Sequence, residues 1–248
     1  IKKILAATNM SDCNGKVTPT NTDKPLGTDA NGRPARYQWS YPSVVGMLMY
    51  LAANSRPEIQ FAVHQCARFT HCCKASHEDA ILRICCYLQQ TKEEGGFIIN
   101  PSKKMELDFY IDADFAGLYR YEDEQDPVCA KLRTGFVIIS VNCPILWVSK
   151  LQQEIALSTL HAEYIALSQS LRELLPLKDL AKEVLEGVGQ NSSKLKIVTK
   201  SSVFEDNQGA IQVATSPRMT PTSKFIAVKY HWFRQHIYKE GDTDPNKV

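Results

Sequence analysis

The hydrophobic residues of this sequence change their period near Gly95–Lys104, and this change constrains the fold more than any other feature. Before it, apolar residues recur three or four positions apart, which is the spacing of an amphipathic helix. After it, they alternate in short runs rich in β-branched and aromatic residues, which is the pattern of strands. The chain is therefore predicted to fold as a helical segment followed by an α/β region in which helices flank a mixed sheet.

The segments before the change carry apolar stripes and helix-start signals. Pro57 stands in a first turn, where its missing N–H removes no helical hydrogen bond, and Ser76 is predicted as an N-cap. Residues 11–38 are rich in Asn, Asp, Thr, Gly and Pro and are predicted to form a linker or extended loop. The predicted helices are one or two turns within residues 1–10, then Ser40–Ala53, Pro57–Phe69 and Ser76–Gln90.

The segments after the change read as strands and longer helices. The predicted strands are Phe97–Asn100, Glu106–Asp112, Thr134–Val141, Pro144–Ser149 and Ser201–Asp206, the third and fourth forming a hairpin. The predicted helices are Leu157–Leu185, Gln208–Ala214 and Lys224–Tyr238. Pro176 is predicted to break the first of these helices, because proline removes one of its hydrogen bonds.

Composition limits the classes of function. The chain has 248 residues, of which 44% are hydrophobic and 23% charged, and its formal charge is +2. A nucleic-acid coat or a membrane-surface protein would be more basic, and no apolar window is long enough to span a bilayer. The first residues lack the apolar region of a signal peptide. We therefore expect a cytoplasmic protein that is not secreted and has no membrane partner. Because the chain starts within an amphipathic segment and without Met, we also expect it to be part of a longer polypeptide.

The eight cysteines indicate a reduced protein. They include two adjacent pairs, and most of them fall in patterns typical of helices or strands, which favours free thiols over a disulfide framework. The cysteines and histidines of the helical part have spacings that fit no structural zinc pattern, so no zinc is expected. These residues are His64, Cys66, His71, Cys72, Cys73 and His77.

Three acidic residues at the ends of predicted elements form the candidate site. Asp112 and Asp206 end strands, and Glu163 lies beside the apolar stripe in the first turns of the long helix. Each has an ordinary interpretation, as a solvated strand-end acid, a helix cap or an acid favoured by the helix dipole. The three elements are nevertheless expected to be neighbours in a compact sheet. Converging carboxylates repel unless cations lie among them, and two Mg²⁺ ions held this way would suit phosphodiester hydrolysis.

Five motifs occur in the order of a known family: YIDADFAG, RTGFVI, CPILWVSKLQQEIALSTLHAEYIALS, EDNQGAI and SKFIAVKYHWFRQHI. Together they resemble the ribonuclease H region of copia-type LTR-retrotransposon polyproteins. Residues 40–91 resemble the helical segment that links reverse transcriptase to that region in the same polyproteins. The resemblance covers nearly the whole chain.

The resemblance implies a ribonuclease H-like α/β fold and an endonuclease that cuts the RNA strand of RNA/DNA hybrids during reverse transcription. Asp112, Glu163 and Asp206 are implied to be the catalytic acids and the ligands of two Mg²⁺ ions, for which Mn²⁺ can substitute. The implied partners are the hybrid and the upstream polymerase lobes of the same polyprotein, in a cytoplasmic virus-like particle. The implied domains are a reverse transcriptase tail and linker (1–38), a helical connection region (39–100) and a C-terminally incomplete ribonuclease H-like domain (101–248).

Some positions depart from the family pattern and keep a second hypothesis open. The family normally has a fourth Asp in a later segment, before which this sequence ends, and Cys85-Cys86 stand where Gly-Arg is usual. No Y-x-D-D motif is present, so polymerase activity is not expected. The alternative is a degenerate, non-catalytic remnant that binds only nucleic acid or the polymerase lobes. An integrase-type transferase is disfavoured by the order of the acids.

Basic and polar residues outside the acidic motifs are candidates for contacts with nucleic-acid phosphates, which position a protein without reading sequence. An RNA/DNA hybrid recognised through groove shape and 2′-hydroxyls suits a protein of low net charge. An ordinary solvated basic face explains the same residues equally well. The candidates are Lys150, Gln152, Lys224, Lys229, His231 and Arg234.

Overall fold

The structure is a computed structural model that describes residues 1–21, 26–94, 97, 106–114, 131–187, 200–218, 223–238 and 247–248. Its contacts divide the chain into two compact units. The N-terminal unit holds the described residues up to Phe97, and the C-terminal unit holds those from Glu106 onward. The three-part division predicted from the sequence stays a prediction, and its second boundary lies outside the described residues.

The N-terminal unit is helical, as its apolar periodicity predicts. Leu48, Ile59, Val63, Ile81 and Leu88 are fully buried and come from four successive helical elements. Burial of these aliphatic side chains supplies the main stabilisation of the unit. Its elements are α1 (Lys2–Ala7), α2 (Tyr41–Asn54), a 3₁₀ turn (Pro57–Ile59), α3 (Gln60–Ala67) and α4 (Ala75–Gln90).

The start of α4 differs from the prediction that Ser76 is its N-cap. Its N-cap is Lys74, two residues earlier, and the helix begins at Ala75. The Nδ1 atom of His77 accepts a hydrogen bond of 2.9 Å from the backbone N–H of Lys74. The imidazole thereby occupies the capping position, and the Ser76 hydroxyl instead donates to the Asp29 carboxylate at 2.6 Å. Competition between local acceptors, which a sequence pattern does not resolve, decides this helix start.

The C-terminal unit is built on a four-stranded sheet in the described part of the chain. The strand order is β3-β2-β1-β4, with β1, β2 and β3 antiparallel and β4 parallel to β1. The predicted strand at residues 97–100 lies almost entirely outside the described residues. The strands are β1 (Glu106–Asp114), β2 (Arg133–Ser140), β3 (Cys143–Leu151) and β4 (Lys200–Phe204).

The predicted hairpin is confirmed between β2 and β3. Its turn consists of Val141 and Asn142, which have φ angles of 53° and 60°. Two consecutive positive φ angles match the right-handed twist of the flanking strands. Asn adopts this conformation readily, whereas the β-branched Val141 does so at a cost that the strand pairing offsets.

The long predicted helix forms as α5 (Thr159–Gly187), but Pro176 does not break it. Leu174, on one side of the proline, is fully buried, and Ala181, on the other, is 8% exposed. Packing on both sides of Pro176 holds the helix direction across the one hydrogen bond that proline removes. The prediction of a break at this residue was therefore wrong.

The last elements are α6 (Gln208–Thr215) and a C-terminal 3₁₀ helix (Val228–Gln235) in place of the predicted α-helix over 224–238. Tyr230 and Phe233, three residues apart, are both buried. A helix with three residues per turn puts these rings on one face. They join a core in which α5 packs against β1 and β2, with Phe109 and Ile138 at its centre.

Candidate metal centre

Asp112 lies near the carboxyl end of β1 on the face of the strand that is turned away from the core. Leu107, Phe109 and Ile111 alternate with it and are buried, whereas Asp112 is exposed. The period of two in this sequence therefore decides which face each side chain occupies. Asp112 is left at the sheet surface by the same pattern that builds the core.

Asp206 reaches Asp112 through the parallel pairing of β4 with β1. Tyr110 lies opposite Phe204 in the register, and their rings stack with centroids 4.6 Å apart. Two residues further along each chain, Asp112 and Asp206 are neighbours on the same side. The register of the sheet thus brings together two acids that are far apart in sequence.

Glu163 comes from the first turns of α5. Ser158 directly precedes this helix and caps its first turn, since its Oγ accepts a 3.1 Å hydrogen bond from the backbone N–H of His161. Glu163 is 7% exposed, and its carboxylate accepts a hydrogen bond from the backbone N–H of Ala113. Its second oxygen, Oε2, is buried and has no hydrogen-bond partner in the described part of the chain.

Close approach of α6 to the start of α5 completes this corner of the unit. A Cβ atom on Gly209 would come within 2.7 Å of Cδ1 of Leu160. Glycine at this position lets the helix that follows Asp206 pack beside the helix that carries Glu163. Asn207 caps α6, since its Oδ1 accepts the N–H of Ala210 at 3.0 Å.

The structure brings together Asp112, Glu163 and Asp206, the three acids predicted from the sequence. One carboxylate oxygen from each lies within 4.8 Å of the others. Burial and the charges of Glu205, Asp112 and Asp206 raise the pKa of Glu163 to about 8, against the lowering effect of the Ala113 N–H. Carboxylates this close repel one another, and the repulsion is strongest for the one least exposed to water.

Glu205 is a fourth acid at this corner, and the sequence analysis missed it. Burial, together with the charges of Asp206 and Asp112, raises its pKa to about 7. The hydrogen bond from the Asn207 N–H acts in the opposite direction. One signal could have found it. Ser201, Val203 and Glu205 alternate on one side of the β4 segment, so a charged residue continues an inward-facing row.

The donor set fits a hard divalent cation. Carboxylate oxygens are the ligands that Mg²⁺ and Mn²⁺ take in proteins, and Mg²⁺ keeps several of its waters. A bound cation would relieve the repulsion among the three acids. It would also give the buried Oε2 of Glu163 a partner, which a carboxylate withdrawn from water requires.

The predicted nucleic-acid contacts fall into two groups in the structure. Lys150, Lys224 and Lys229 are exposed. Lys150 lies near the end of β3, and Lys229 forms an ion pair with Glu154. These three ammonium groups lie on the surface, where a phosphate can reach them.

The other three candidates make contacts inside the unit. Gln152 is 1% exposed and donates its amide to Thr134 Oγ1 and to the Ala162 carbonyl, both at 3.0 Å. His231 Nδ1 lies 2.8 Å from the Tyr164 hydroxyl, and Arg234 donates to the Ser216 carbonyl. The structure therefore places Gln152 in the interior, where it ties β2 to α5, instead of on the nucleic-acid surface that the sequence analysis expected.

The cysteines and histidines of the N-terminal unit occupy different environments. Cys66 is buried, Cys72 is exposed, and His77 is fully buried against the ring of Phe69, with centroids 4.1 Å apart. Both ring nitrogens of His77 bond to backbone, Nδ1 to Lys74 and Nε2 to the Gly27 carbonyl at 2.8 Å. This histidine therefore serves the packing of α4.

The mixed sheet, its strand order and its flanking helices define the C-terminal unit as ribonuclease H-like in fold, with an acidic cluster where β1, β4 and α5 meet. No described helix combines the length and apolar composition needed to cross a membrane.

Comparison with known proteins finds similarity to the Pol polyproteins of three plant transposons. The "Retrovirus-related Pol polyprotein from transposon RE1" of Arabidopsis thaliana is 29% identical over 237 residues, which cover 96% of this chain and 15% of that polyprotein. The corresponding polyprotein from transposon RE2 of the same plant is 29% identical, covering 94% of the chain and 15% of its own length. The corresponding polyprotein from transposon TNT 1-94 of Nicotiana tabacum is 30% identical, and the match covers 97% of this chain and 17% of that polyprotein.

By these relationships the chain is homologous to one segment of the retrovirus-related Pol polyproteins of copia-type transposons. It spans 15–17% of the length of these relatives. No family model and no solved structure matches it.

Proposed function

We propose that the C-terminal unit is a ribonuclease H-type endonuclease that hydrolyses the RNA strand of RNA/DNA hybrids with the help of two divalent cations. The observation that carries this proposal is the convergence of Asp112, Glu163 and Asp206 within 4.8 Å. The Oε2 atom of Glu163, which is buried and has no hydrogen-bond partner within the described ranges, supports a cation at this position. Homology to one segment of a transposon Pol polyprotein supports a nucleic-acid substrate.

The roles that we propose for the three acids differ with their exposure to solvent. Asp112 and Asp206 are exposed, so their carboxylates face the solvent from which a phosphodiester approaches. Glu163 is held by the Ala113 N–H and by the packing of α5, so its carboxylate has a rigid position in the site. Mg²⁺, or Mn²⁺ in its place, supplies activation of the attacking water and neutralisation of the leaving oxygen when two ions are bound.

The exposed lysines give the proposed substrate its contacts outside the acidic cluster. Lys150, Lys224 and Lys229 offer ammonium groups to phosphates, which set the position of a nucleic acid without reading its sequence. The ion pair of Lys229 with Glu154 is exposed and so is weak enough to open for a phosphate. The polymerase lobes of the same polyprotein are proposed as the partner of the helical N-terminal unit.

The test is cleavage of an RNA/DNA hybrid labelled on its RNA strand, in Mg²⁺ and in Mn²⁺, by the full chain and by an Asp112→Asn variant. We expect the parent to cut and the variant not to cut, with unchanged circular dichroism. Cleavage retained by the variant would contradict the assignment of Asp112. If neither protein cuts but both bind the hybrid, the chain is a non-catalytic binding module, which is the alternative function.

A further inference from the structure

Glu205 has one carboxylate oxygen that the fold uses and one that it does not. Its Oε1 accepts the backbone N–H of Asn207 at 3.1 Å, which shapes the turn between β4 and α6. Its Oε2 is buried and has no hydrogen-bond partner in the described part of the chain. A desolvated carboxylate oxygen without a hydrogen-bond partner is costly, so a bound water or cation at this atom would stabilise it.

The capping needs of α6 do not explain this second oxygen. The N-cap of α6 is Asn207, whose own side chain accepts the Ala210 N–H. An acid that only shaped the turn would need one acceptor, and it could leave its other oxygen in water. Glu205 instead follows the inward-facing row of Ser201 and Val203, which directs it toward the side of the sheet that carries α5.

Glu205 directly precedes Asp206 and faces the side of the sheet that carries α5, the helix that holds Glu163, so its carboxylate lies at this corner. Of the carboxylates whose charges act on Glu163, Glu205 has the largest effect, ahead of Asp112 and Asp206. Glu205 itself feels the charges of Asp206 and Asp112. It is nevertheless outside the group of three whose oxygens converge within 4.8 Å. Glu205 therefore borders the cluster and is set back from its centre.

We propose that Glu205 is a fourth carboxylate of the cation site, a positioning residue whose free oxygen binds the waters that the cations keep. This inference rests on the proposed function, since it assumes that cations occupy the three-acid cluster. Carboxylates just outside the ligand shell commonly orient waters and ligands, and their loss lowers metal affinity ten- to a hundredfold.

The experiment measures binding of Mn²⁺ to the full chain by electron paramagnetic resonance, with Glu205→Gln as the test variant. Glutamine keeps the side-chain oxygen that accepts the Asn207 N–H, so the turn is preserved while the charge is removed. Glu183→Gln is the matched control, because Glu183 is an exposed acid near the other end of α5. We expect Glu205→Gln to weaken Mn²⁺ binding about tenfold and Glu183→Gln to leave it unchanged.

Three outcomes separate this inference from the function on which it rests. Mn²⁺ affinity of Glu205→Gln within twofold of the parent would overturn the role of Glu205 alone. Equal weakening by Glu183→Gln would also overturn it, since the effect would then come from net charge. Failure of the parent to bind Mn²⁺, or full binding by Glu163→Gln, would overturn the cation site itself. Should Glu205→Gln fold poorly by circular dichroism, Glu205→Asp keeps the charge and must bind Mn²⁺ more tightly than Glu205→Ala.

Discussion

Each unit of the molecule buries a glutamate, and the two glutamates have opposite surroundings. Glu78 in the N-terminal unit is 1% exposed and Glu163 in the C-terminal unit is 7% exposed. Both oxygens of Glu78 accept backbone N–H groups, from Arg36 at 2.7 Å and from Tyr37 at 3.2 Å. Glu163 accepts one N–H, has three acidic neighbours, and has one oxygen without a hydrogen-bond partner among the described residues.

The difference teaches how to tell a structural buried acid from a functional one. Burial alone does not separate them, since both side chains are almost fully withdrawn from water. The hydrogen-bond inventory does, because a carboxylate whose oxygens are all satisfied by the fold has nothing left to offer a ligand. An acid that stays unsatisfied among like charges stores the free energy that a cation can release.

The largest expected effect is on catalysis by the functional acid cluster. Asp112→Asn removes one ligand charge from a surface position without disturbing the core. We expect hybrid cleavage to fall at least a hundredfold, which corresponds to about 2.7 kcal/mol of transition-state stabilisation. Initial rates on a labelled hybrid at saturating Mg²⁺ measure it. A loss below tenfold would remove Asp112 from the catalytic acids.

The next effect is on the structural acid. Glu78→Ala leaves the N–H groups of Arg36 and Tyr37 without their acceptor, so we expect the free energy of unfolding to fall by about 2 kcal/mol. Urea denaturation followed by circular dichroism measures this. Asp79→Ala is the control, because Asp79 is the next residue and pairs with Arg36 at the surface. Equal losses for both variants would mean that the buried carboxylate of Glu78 adds no more to the free energy of unfolding than the exposed one of Asp79.

A smaller effect sharpens the contrast between the two buried acids. Glu163→Gln keeps an acceptor for Ala113 and removes a repelled charge, so without cations we expect no loss in the free energy of unfolding. With Mg²⁺ at ten times its Kd, the parent should gain about 1.4 kcal/mol and the variant should gain nothing. Thermal unfolding with and without a chelator gives both numbers. If Glu163→Gln lowered the free energy of unfolding as much as Glu78→Ala does, Glu163 would be a structural acid like Glu78.

The smallest effect concerns an exposed acid of the C-terminal unit. Glu154 pairs with Lys229 at the surface, and both side chains are more than one third exposed. Glu154→Gln should change the free energy of unfolding by less than about 0.5 kcal/mol, because water screens such pairs. The same urea denaturation measures it. A loss of 2 kcal/mol would show that exposure is a poor guide to the energetics of acids in this chain.

Periodicity predicted the elements that carry the site. The alternation in β1 and the apolar stripe of α5 are local patterns, and the structure confirms a strand at Glu106–Asp114 and a helix at Thr159–Gly187. Asp112 and Glu163 could be placed on those elements because side-chain direction follows from the period. The capping of α6 by Asn207 is equally local, because its side chain accepts the N–H of Ala210, three residues further on.

Tertiary contacts decided the features that the sequence analysis missed. Pro176 continues a helix because Leu174 and Ala181 are packed on either side of it. Gln152 is interior because Thr134 and the Ala162 carbonyl lie within reach of its amide. Thr134 and Ala162 are 18 and 10 residues away from Gln152 in the sequence, so no local pattern reveals these contacts.

The sequence by itself determined the strands, the long helix and the three acids at their ends, since each depends on a few neighbouring residues. Only the tertiary structure decided that these acids converge within 4.8 Å and that Glu205 borders them. The physical reason is that convergence depends on the register of β4 against β1 and on the docking of α5, both of which are set by packing between distant segments. Local propensity fixes the elements, and their packing makes the site.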